Sequence, residues 1–115
     1  MAVEALADRT PVPVSVRAPA ERYRPEIEAT AYYVVAEALT NVVKYARASS
    51  VMLTIERRDG VLTVEVADDG VGGADPGRGS GLRGLADRVA SLNGKLAIDS
   101  PPGAGTRVRA EIPLE

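Results

Sequence analysis

The residues of this sequence best suited to bind a ligand are Asp68-Asp69-Gly70-Val71-Gly72-Gly73. They follow an apolar, alternating segment, residues 61–67, which predicts a buried strand. A carboxylate at the end of a strand can accept a hydrogen bond from a ligand amine. The glycines beyond it allow φ > 0 and let the backbone approach a ligand closely. Because Asp-Asp-Gly is also a common turn, the stretch alone leaves a purely structural role open.

A second polar group lies on the longest predicted helix, Pro25 to about Ala48. Glu37, Asn41 and Lys44 are spaced i, i+4 and i+7, within about 60° of one another, and Tyr45 is adjacent. Asn41 offers a neutral oxygen ligand suited to Mg²⁺, and Lys44 a point charge for phosphate oxygens. A solvated Glu–Lys face is the alternative. The polar stripe borders the apolar face of the helix instead of opposing it, which favours the rim of a cleft.

A third candidate is the glycine-rich loop 77–81, Gly-Arg-Gly-Ser-Gly, which runs into the predicted helix 82–92. The free N–H groups of a helix N-terminus and the helix dipole suit a phosphate, although many glycine-rich loops bind nothing. An amine-bearing base at Asp68, a triphosphate along Lys44 and this loop, and Mg²⁺ at Asn41 together describe bound Mg-ATP. The three stretches acquire this meaning jointly, since none of them is specific alone.

The elements that must position these residues alternate between strand and helix. The predicted strands are residues 12–17, 51–57, 61–67, 95–99 and 106–112, and the predicted main helices are 25–48 and 82–92. Prolines make the first strand an edge strand, and Arg58-Asp59-Gly60 forms a tight turn between the second and third strands. This order predicts an α+β two-layer α/β sandwich, with a mixed, mostly antiparallel sheet covered by helices on one face.

Composition narrows the function. At 115 residues, with 45% apolar residues, the chain fits one folded domain. A net charge of −2 without a basic cluster argues against a nucleic-acid partner. The absence of Cys and His excludes disulfides, thiolate metal sites, histidine acid–base catalysis and a histidine phosphoacceptor within this sequence. No apolar run reaches the length of a membrane span, so we expect a soluble, cytoplasmic domain.

On these motifs the sequence resembles the ATP-binding catalytic domain of two-component sensor histidine kinases, a superfamily that includes gyrase B, the Hsp90 chaperones and MutL. The resemblance covers roughly residues 12–114, and the second glycine box is similar to that of the nitrate-sensor-like subgroup. The matching motifs are the N box Glu37-Ala-Leu-Thr-Asn41-Val-Val-Lys44-Tyr45, the first glycine box Asp68-Asp-Gly70-Val-Gly72, the second glycine box Gly79-Ser-Gly81-Leu82-Arg-Gly84-Leu-Ala-Asp-Arg88-Val, and Gly105-Thr106 with the closing Ile112-Pro113-Leu114.

The resemblance implies a role for each matching residue. Asp68 would accept a hydrogen bond from the adenine amine, with the help of Thr106. Asn41 would bind Mg²⁺, with Glu37 near the metal, and these two are the expected catalytic residues. Lys44 and Tyr45 would contact phosphate or sugar oxygens; the subgroup often has His in place of Tyr45, and other subgroups commonly have Tyr. The glycine boxes add the expected nucleotide-binding residues Gly70, Gly72, Gly79, Ser80, Gly81 and Leu82.

The implied fold is the Bergerat-type ATP-binding fold, and the implied reaction is transfer of the γ-phosphoryl group of Mg-ATP to a histidine. That histidine would lie on a separate dimerisation domain, which passes the phosphoryl group to a response regulator. We therefore expect residues 1–11 to be a junction from a missing upstream phosphoacceptor domain and residues 12–115 to be the ATPase domain. The isolated domain is expected to be a monomer and the parent kinase a homodimer. Whether the parent is membrane-anchored stays open.

Two alternative functions keep the fold. An anti-sigma-factor-type serine kinase is also short, but the second glycine box and the closing strand resemble sensor kinases more closely. A non-catalytic nucleotide-binding or interaction module would keep the fold without the chemistry. Every polar position that the site needs is present, which disfavours this reading.

Overall fold

A computed structural model describes residues 3–19, 21–73 and 82–114 of the protein, including all of their side chains except those of residues 45 and 46. Within these ranges the elements follow the predicted order. They are α1 (Val3–Asp8), β1 (Val14–Arg17), α2 (Pro25–Asn41), a π-helical turn (Val42–Ala46), β2 (Val51–Arg58), β3 (Val61–Asp68), α3 (Leu82–Ser91), β4 (Lys95–Asp99) and β5 (Arg107–Pro113).

The strands of the described residues form one five-stranded sheet in the order β1-β2-β3-β5-β4. β1 is an edge strand, as its prolines predict, and it pairs in parallel with β2. The other pairs are antiparallel. Asp59 and Gly60 both have positive φ, 53° and 76°, in the tight turn between β2 and β3. This geometry matches the twist of the two strands and fixes their register, with Val51 opposite Asp68.

The helices pack on one face of the sheet. α2 and α3 contact each other; α2 also contacts β3 and β5, and α3 contacts β4 and β5. Alternate residues of β2, β3 and β5 point into this layer and are buried, whereas the opposite face is largely polar. The predicted two-layer α+β architecture with a mostly antiparallel sheet is therefore confirmed. No helix in the described part of the chain is long and apolar enough to cross a membrane.

α2 begins where the sequence predicts, with Pro25 in its first turn. The N-cap residue, Arg24, provides no side-chain hydrogen bond. Glu28 takes over part of that task, because its carboxylate accepts a hydrogen bond from the backbone N–H of Tyr23 at 3.0 Å and two from the guanidinium of Arg22. These bonds hold the pKa of the Glu28 carboxyl down at about 2, with the Arg22 bond as the largest cause.

The end of α2 differs from the prediction. The α-helix ends at Asn41, not near Ala48, and the chain continues as the π-helical turn before leaving through Arg47, whose φ is 50°. β-branched Val42 and Val43 lower the local α-helix propensity, and the wider turn still buries Val42 in the core. Lys44 therefore does not follow the α-helical arc that the spacing assumed.

A candidate nucleotide site at the end of the third strand

Asp68 is the last residue of β3, and its side chain is half-buried. One carboxylate oxygen, Oδ1, accepts the backbone N–H of Gly70 at 2.7 Å. Within the described residues, Oδ2 accepts no hydrogen bond. The backbone N–H of Asp68 donates to the carbonyl oxygen of Thr106 at 2.9 Å. The strand end and the turn after it thus orient the carboxylate and leave one oxygen available to a donor.

Gly105 packs closely against the backbone of Asp68 at this site. Gly105 is buried at a φ of 78°, and a Cβ placed on it would lie 2.1 Å from the carbonyl oxygen of Asp68. A side chain there would separate the two segments. The backbone carbonyl of the next residue, Thr106, accepts the N–H of Asp68, and the hydroxyl of Thr106 is 2.6 Å from that of Ser100.

The segment after Asp68 packs against the turn that precedes β5. Gly72 has a φ of 67°, and a Cβ on it would lie 2.1 Å from the carbonyl oxygen of Pro101. The closeness of the two backbones explains why glycine occupies this position. Two backbone hydrogen bonds join the segments, from Gly73 to Ser100 at 2.8 Å and from Gly103 to Val71 at 2.6 Å.

Of the predicted polar stripe, Glu37 and Asn41 lie at the end of α2, and Lys44 follows in the π-helical turn. Glu37 and Asn41 are half-buried and Lys44 is exposed. Among the described residues, the amide nitrogen of Asn41 is one of two buried side-chain polar atoms without a hydrogen-bond partner. A buried polar atom without a partner is costly, so a ligand here would supply a missing interaction. A 180° rotation exchanges the amide nitrogen and oxygen with little change of shape, so Asn41 fits a metal or a phosphate oxygen.

The predicted metal site depends on Asn41 and Glu37 together with oxygens from elsewhere. The described residues contain no group of three or more His, Cys, Asp or Glu side chains that could hold a metal ion by themselves. A magnesium ion at this position would therefore need oxygens from a phosphate chain or water to complete its coordination.

Asp69 is the carboxylate whose role the sequence did not resolve. It accepts four hydrogen bonds of 2.7–3.2 Å, from the backbone N–H and the hydroxyl of both Ser49 and Ser50. These bonds, the Ser49 hydroxyl first, lower the pKa of the Asp69 carboxyl to about 2. The predicted hairpin contained the signal, because extending its register by one residue from the pair Val51–Asp68 places Ser50 opposite Asp69.

The remaining predicted binding residues have different positions. Gly79, Ser80 and Gly81 lie outside the described residues, and Tyr45 belongs to the π-helical turn without a described side chain. Leu82 is only 1% exposed and belongs to the hydrophobic core. Its side chain anchors α3, so a contact between Leu82 and a nucleotide would come from its backbone at the start of that helix.

One further contact links the two main helices. The guanidinium carbon of Arg88, in α3, lies 4.1 Å from the ring centroid of Tyr33, in α2. Arg88 is part of the second glycine box by sequence, but in the structure it contacts this ring. The contact positions α3, and hence its N-terminus, against α2.

The chain is similar to known proteins over most of its length. A family described as histidine kinase-, DNA gyrase B-, and HSP90-like ATPase matches residues 26–115. The oxygen sensor histidine kinase NreB of Staphylococcus carnosus is 41% identical over 99 residues, which are 83% of this chain and 28% of that protein. The signal transduction histidine-protein kinase/phosphatase DegS of Brevibacillus brevis is 37% identical over 97 residues, 82% of this chain and 25% of that protein.

Solved structures show the same likeness. The blue-light activated histidine kinase EL346 of Erythrobacter litoralis superposes with a TM-score of 0.81 at 32% identity, over 98% of this chain and 38% of that one. The histidine kinase AdeS of Acinetobacter baumannii, at 15% identity and a TM-score of 0.73, shares the fold over 99% of this chain and 60% of that one. The chain thus spans about a quarter of the length of the curated relatives that it matches.

Proposed function

The chain belongs to the family of histidine kinase-, DNA gyrase B- and HSP90-like ATPases, and we propose that it binds Mg-ATP and donates the γ-phosphoryl group to a histidine of a sensor histidine kinase. The observation that carries the proposal is the half-buried Asp68 carboxylate, oriented through the Gly70 N–H with its second oxygen available. This sequence contains no histidine, so the acceptor lies outside it, and we place the acceptor on a separate dimerisation domain.

Asp68 recognises the adenine end of the nucleotide. Its Oδ2 accepts a hydrogen bond from the exocyclic amine. Thr106, whose backbone carbonyl pairs with the N–H of Asp68, would help to bind the ring directly or through water. A base without an amine at this position would leave the carboxylate unpaired and partly desolvated, so the site discriminates against it.

The end of α2 and the π-helical turn bind the phosphate end. Asn41 would hold Mg²⁺, which would neutralise charge on the phosphate oxygens. Lys44 adds a positive charge to the same chain of oxygens, and Tyr45 contacts sugar or phosphate. The predicted glycines Gly79 and Gly81, with Ser80, would enclose the triphosphate.

The transfer requires positioning more than reactive side chains. A ring nitrogen of the acceptor histidine forms a bond to the γ-phosphorus while the bond from that phosphorus to the β–γ bridging oxygen breaks. The electron pair leaves with ADP, and the histidine loses its N–H proton. We assign Glu37, one helical turn before Asn41, as the carboxylate available to the metal or to this proton. The phosphorylated domain then passes the group to a response regulator.

A thermal-shift titration with Mg-ATP tests the proposal. A ligand at 100 times its dissociation constant stabilises a protein by about 2.7 kcal/mol, which for a domain of this size raises the Tm by roughly 10 °C. Asp68→Asn keeps the acceptor for Gly70 but replaces the charged acceptor of the amine. Loss of a hydrogen bond to a charged group costs about 1.5–3 kcal/mol, so we expect affinity to fall by a factor of roughly 10 to 150.

Asp59→Asn is the matched control. It makes the same change in the tight turn before β3, at the end of the strand opposite to Asp68. Its Mg-ATP affinity should equal that of the wild type. An absence of any shift in folded wild-type protein would favour the non-catalytic module.

With ATP binding established, incubation with the dimerisation domains of the parent kinase gives an acid-labile phosphohistidine. An acid-stable phosphoserine would instead support the serine-kinase alternative.

A further inference from the structure

The Asp69 carboxylate joins two parts of the chain that carry opposite ends of the proposed site. One part is the end of β3, where Asp68 immediately precedes Asp69. The other is the connection that leaves the π-helical turn and reaches β2 through Ser49 and Ser50. We call Asp69, Ser49 and Ser50 the Asp69 clamp, defined by the four hydrogen bonds of 2.7–3.2 Å.

Both carboxylate oxygens of Asp69 are fully engaged in the clamp. Oδ1 accepts the backbone N–H groups of Ser49 and Ser50 at 2.8 and 3.0 Å, and Oδ2 accepts their hydroxyls at 2.7 and 3.2 Å. Each oxygen therefore has two donors, in contrast to the Oδ2 of Asp68. Such a carboxylate is a structural connector, and its acceptors are not available to a ligand amine.

All three residues of the clamp are exposed to solvent. Water competes for each of these hydrogen bonds, so their net contribution to the free energy of unfolding is modest. The buried residues of α2 and β3 already stabilise the fold without the clamp. The clamp instead fixes the position of the segment that follows the π-helical turn relative to the end of β3.

We propose that Asp69 is a positioning residue for nucleotide binding, which holds the Asn41–Lys44 segment at the distance from Asp68 that ATP must span. The inference rests on the proposed function. Adenine and triphosphate are two linked ligands, and binding of both ends at once is lost when the spacing between their subsites varies. A looser clamp therefore weakens ATP more than a ligand that occupies the Asp68 end alone.

The experiment compares ATP with adenosine, which lacks the phosphates, on the wild type and on Asp69→Asn. The amide oxygen can still accept the two backbone N–H groups, but an NH₂ group replaces the charged Oδ2. The two serine hydroxyls then lose a charged acceptor and can only accept weaker, uncharged hydrogen bonds from the amide. We expect the affinity for Mg-ATP to fall by roughly tenfold or more and that for adenosine to change by less than about twofold, because misplacement affects only the ligand that spans both subsites. Equilibrium dialysis or ligand-observed NMR measures both.

Glu28→Gln is the matched control. Glu28 is also a hydrogen-bonded carboxylate with a pKa of about 2, but it lies at the other end of α2. We expect this variant to lose thermal stability with an unchanged ratio of ATP to adenosine affinity. The double variant Ser49→Ala/Ser50→Ala keeps both backbone donors and removes both hydroxyls, so an intermediate ratio is expected. It also provides the test if Asp69→Asn does not fold.

The outcomes distinguish a failure of the proposed Mg-ATP function from a failure of the positioning role of Asp69. If the wild type binds neither ATP nor adenosine, the proposed function fails and this inference fails with it. If the wild type binds both and the clamp variants lose both affinities by the same factor, or neither, only the positioning role is overturned. A selective loss of ATP affinity supports the role, because uniform destabilisation would lower both affinities together.

Discussion

The backbone of Gly105 lies so close to the carbonyl oxygen of Asp68 that a residue with a Cβ atom would clash there. Gly103, two residues earlier, has a similar φ of 82° but open space where its Cβ would lie. We therefore expect Gly103→Ala to cost about 1–2 kcal/mol from the left-handed backbone alone. Gly105→Ala adds a clash with the Asp68 carbonyl, which should cost roughly 1–3 kcal/mol more and weaken ATP binding.

Urea unfolding of the two glycine variants measures that difference directly. Because both substitutions restrict the unfolded chain equally, the comparison isolates the native-state contact. Equal losses of stability in Gly103→Ala and Gly105→Ala would contradict the close approach and would remove the reason that we give for glycine at position 105.

At the scale of residues, the sequence predicted which residue types lie at the site but not which role each of them has. Asp68 and Asp69 are chemically identical and adjacent, so spacing alone offered two candidate acceptors. What separates them is alternation along β3 and the register with β2, which turns Asp69 towards Ser49 and Ser50. The distinction depends on long-range pairing, which residue type does not reveal.

At the scale of elements, the Arg88–Tyr33 contact predicts coupling between α3 and α2. Tyr33 is 37% exposed, so the pair is partly solvated and a cation–π energy of about 0.5–1 kcal/mol is expected. A double-mutant cycle with Arg88→Met and Tyr33→Leu should yield this coupling free energy in thermal or urea unfolding. Arg83→Met, on the same helix, serves as the control.

The coupling would be contradicted by additive effects of Arg88→Met and Tyr33→Leu, or by an equal coupling between Arg83→Met and Tyr33→Leu. The latter result would attribute the effect to the overall charge of α3. The matched pair therefore tests whether a particular contact, and not general electrostatics, couples α3 to α2.

Element boundaries were predictable where local chemistry decides them. Pro25 marks the start of α2, and the turn at Asp59-Gly60 fixes the β2–β3 hairpin. The end of α2 was predicted wrongly, since the apolar periodicity continues to Ala46 although the α-helix ends at Asn41. A π-helical turn keeps an apolar residue buried while changing the hydrogen-bond pattern, so periodicity could not report it.

At the scale of the whole molecule, the order of elements and the alternation of apolar residues sufficed to predict the two layers. Few arrangements of a mostly antiparallel sheet can bury two amphipathic helices on one face. The parallel pairing of β1 with β2 was not specified by that pattern, which is compatible with either direction for an edge strand. In the structure, β1 runs alongside the start of β2, where the connection from the helices enters the sheet.

The whole fold should lose stability in acid through carboxylates that it holds ionised. The pKa of Glu28 lies at about 2, below the value of 4.5 for an unperturbed glutamate. The unfolded chain then binds more protons between these values, so the contribution is fully present above about pH 4.5 and is lost as pH falls towards 2. Urea midpoints at pH 5 and pH 2.5 should therefore differ less in Glu28→Gln than in the wild type. Glu26→Gln removes a carboxylate from the same turn without touching the Glu28 bonds. An identical acid dependence in Glu28→Gln and the wild type would show that the Arg22 and Tyr23 bonds do not stabilise the start of α2.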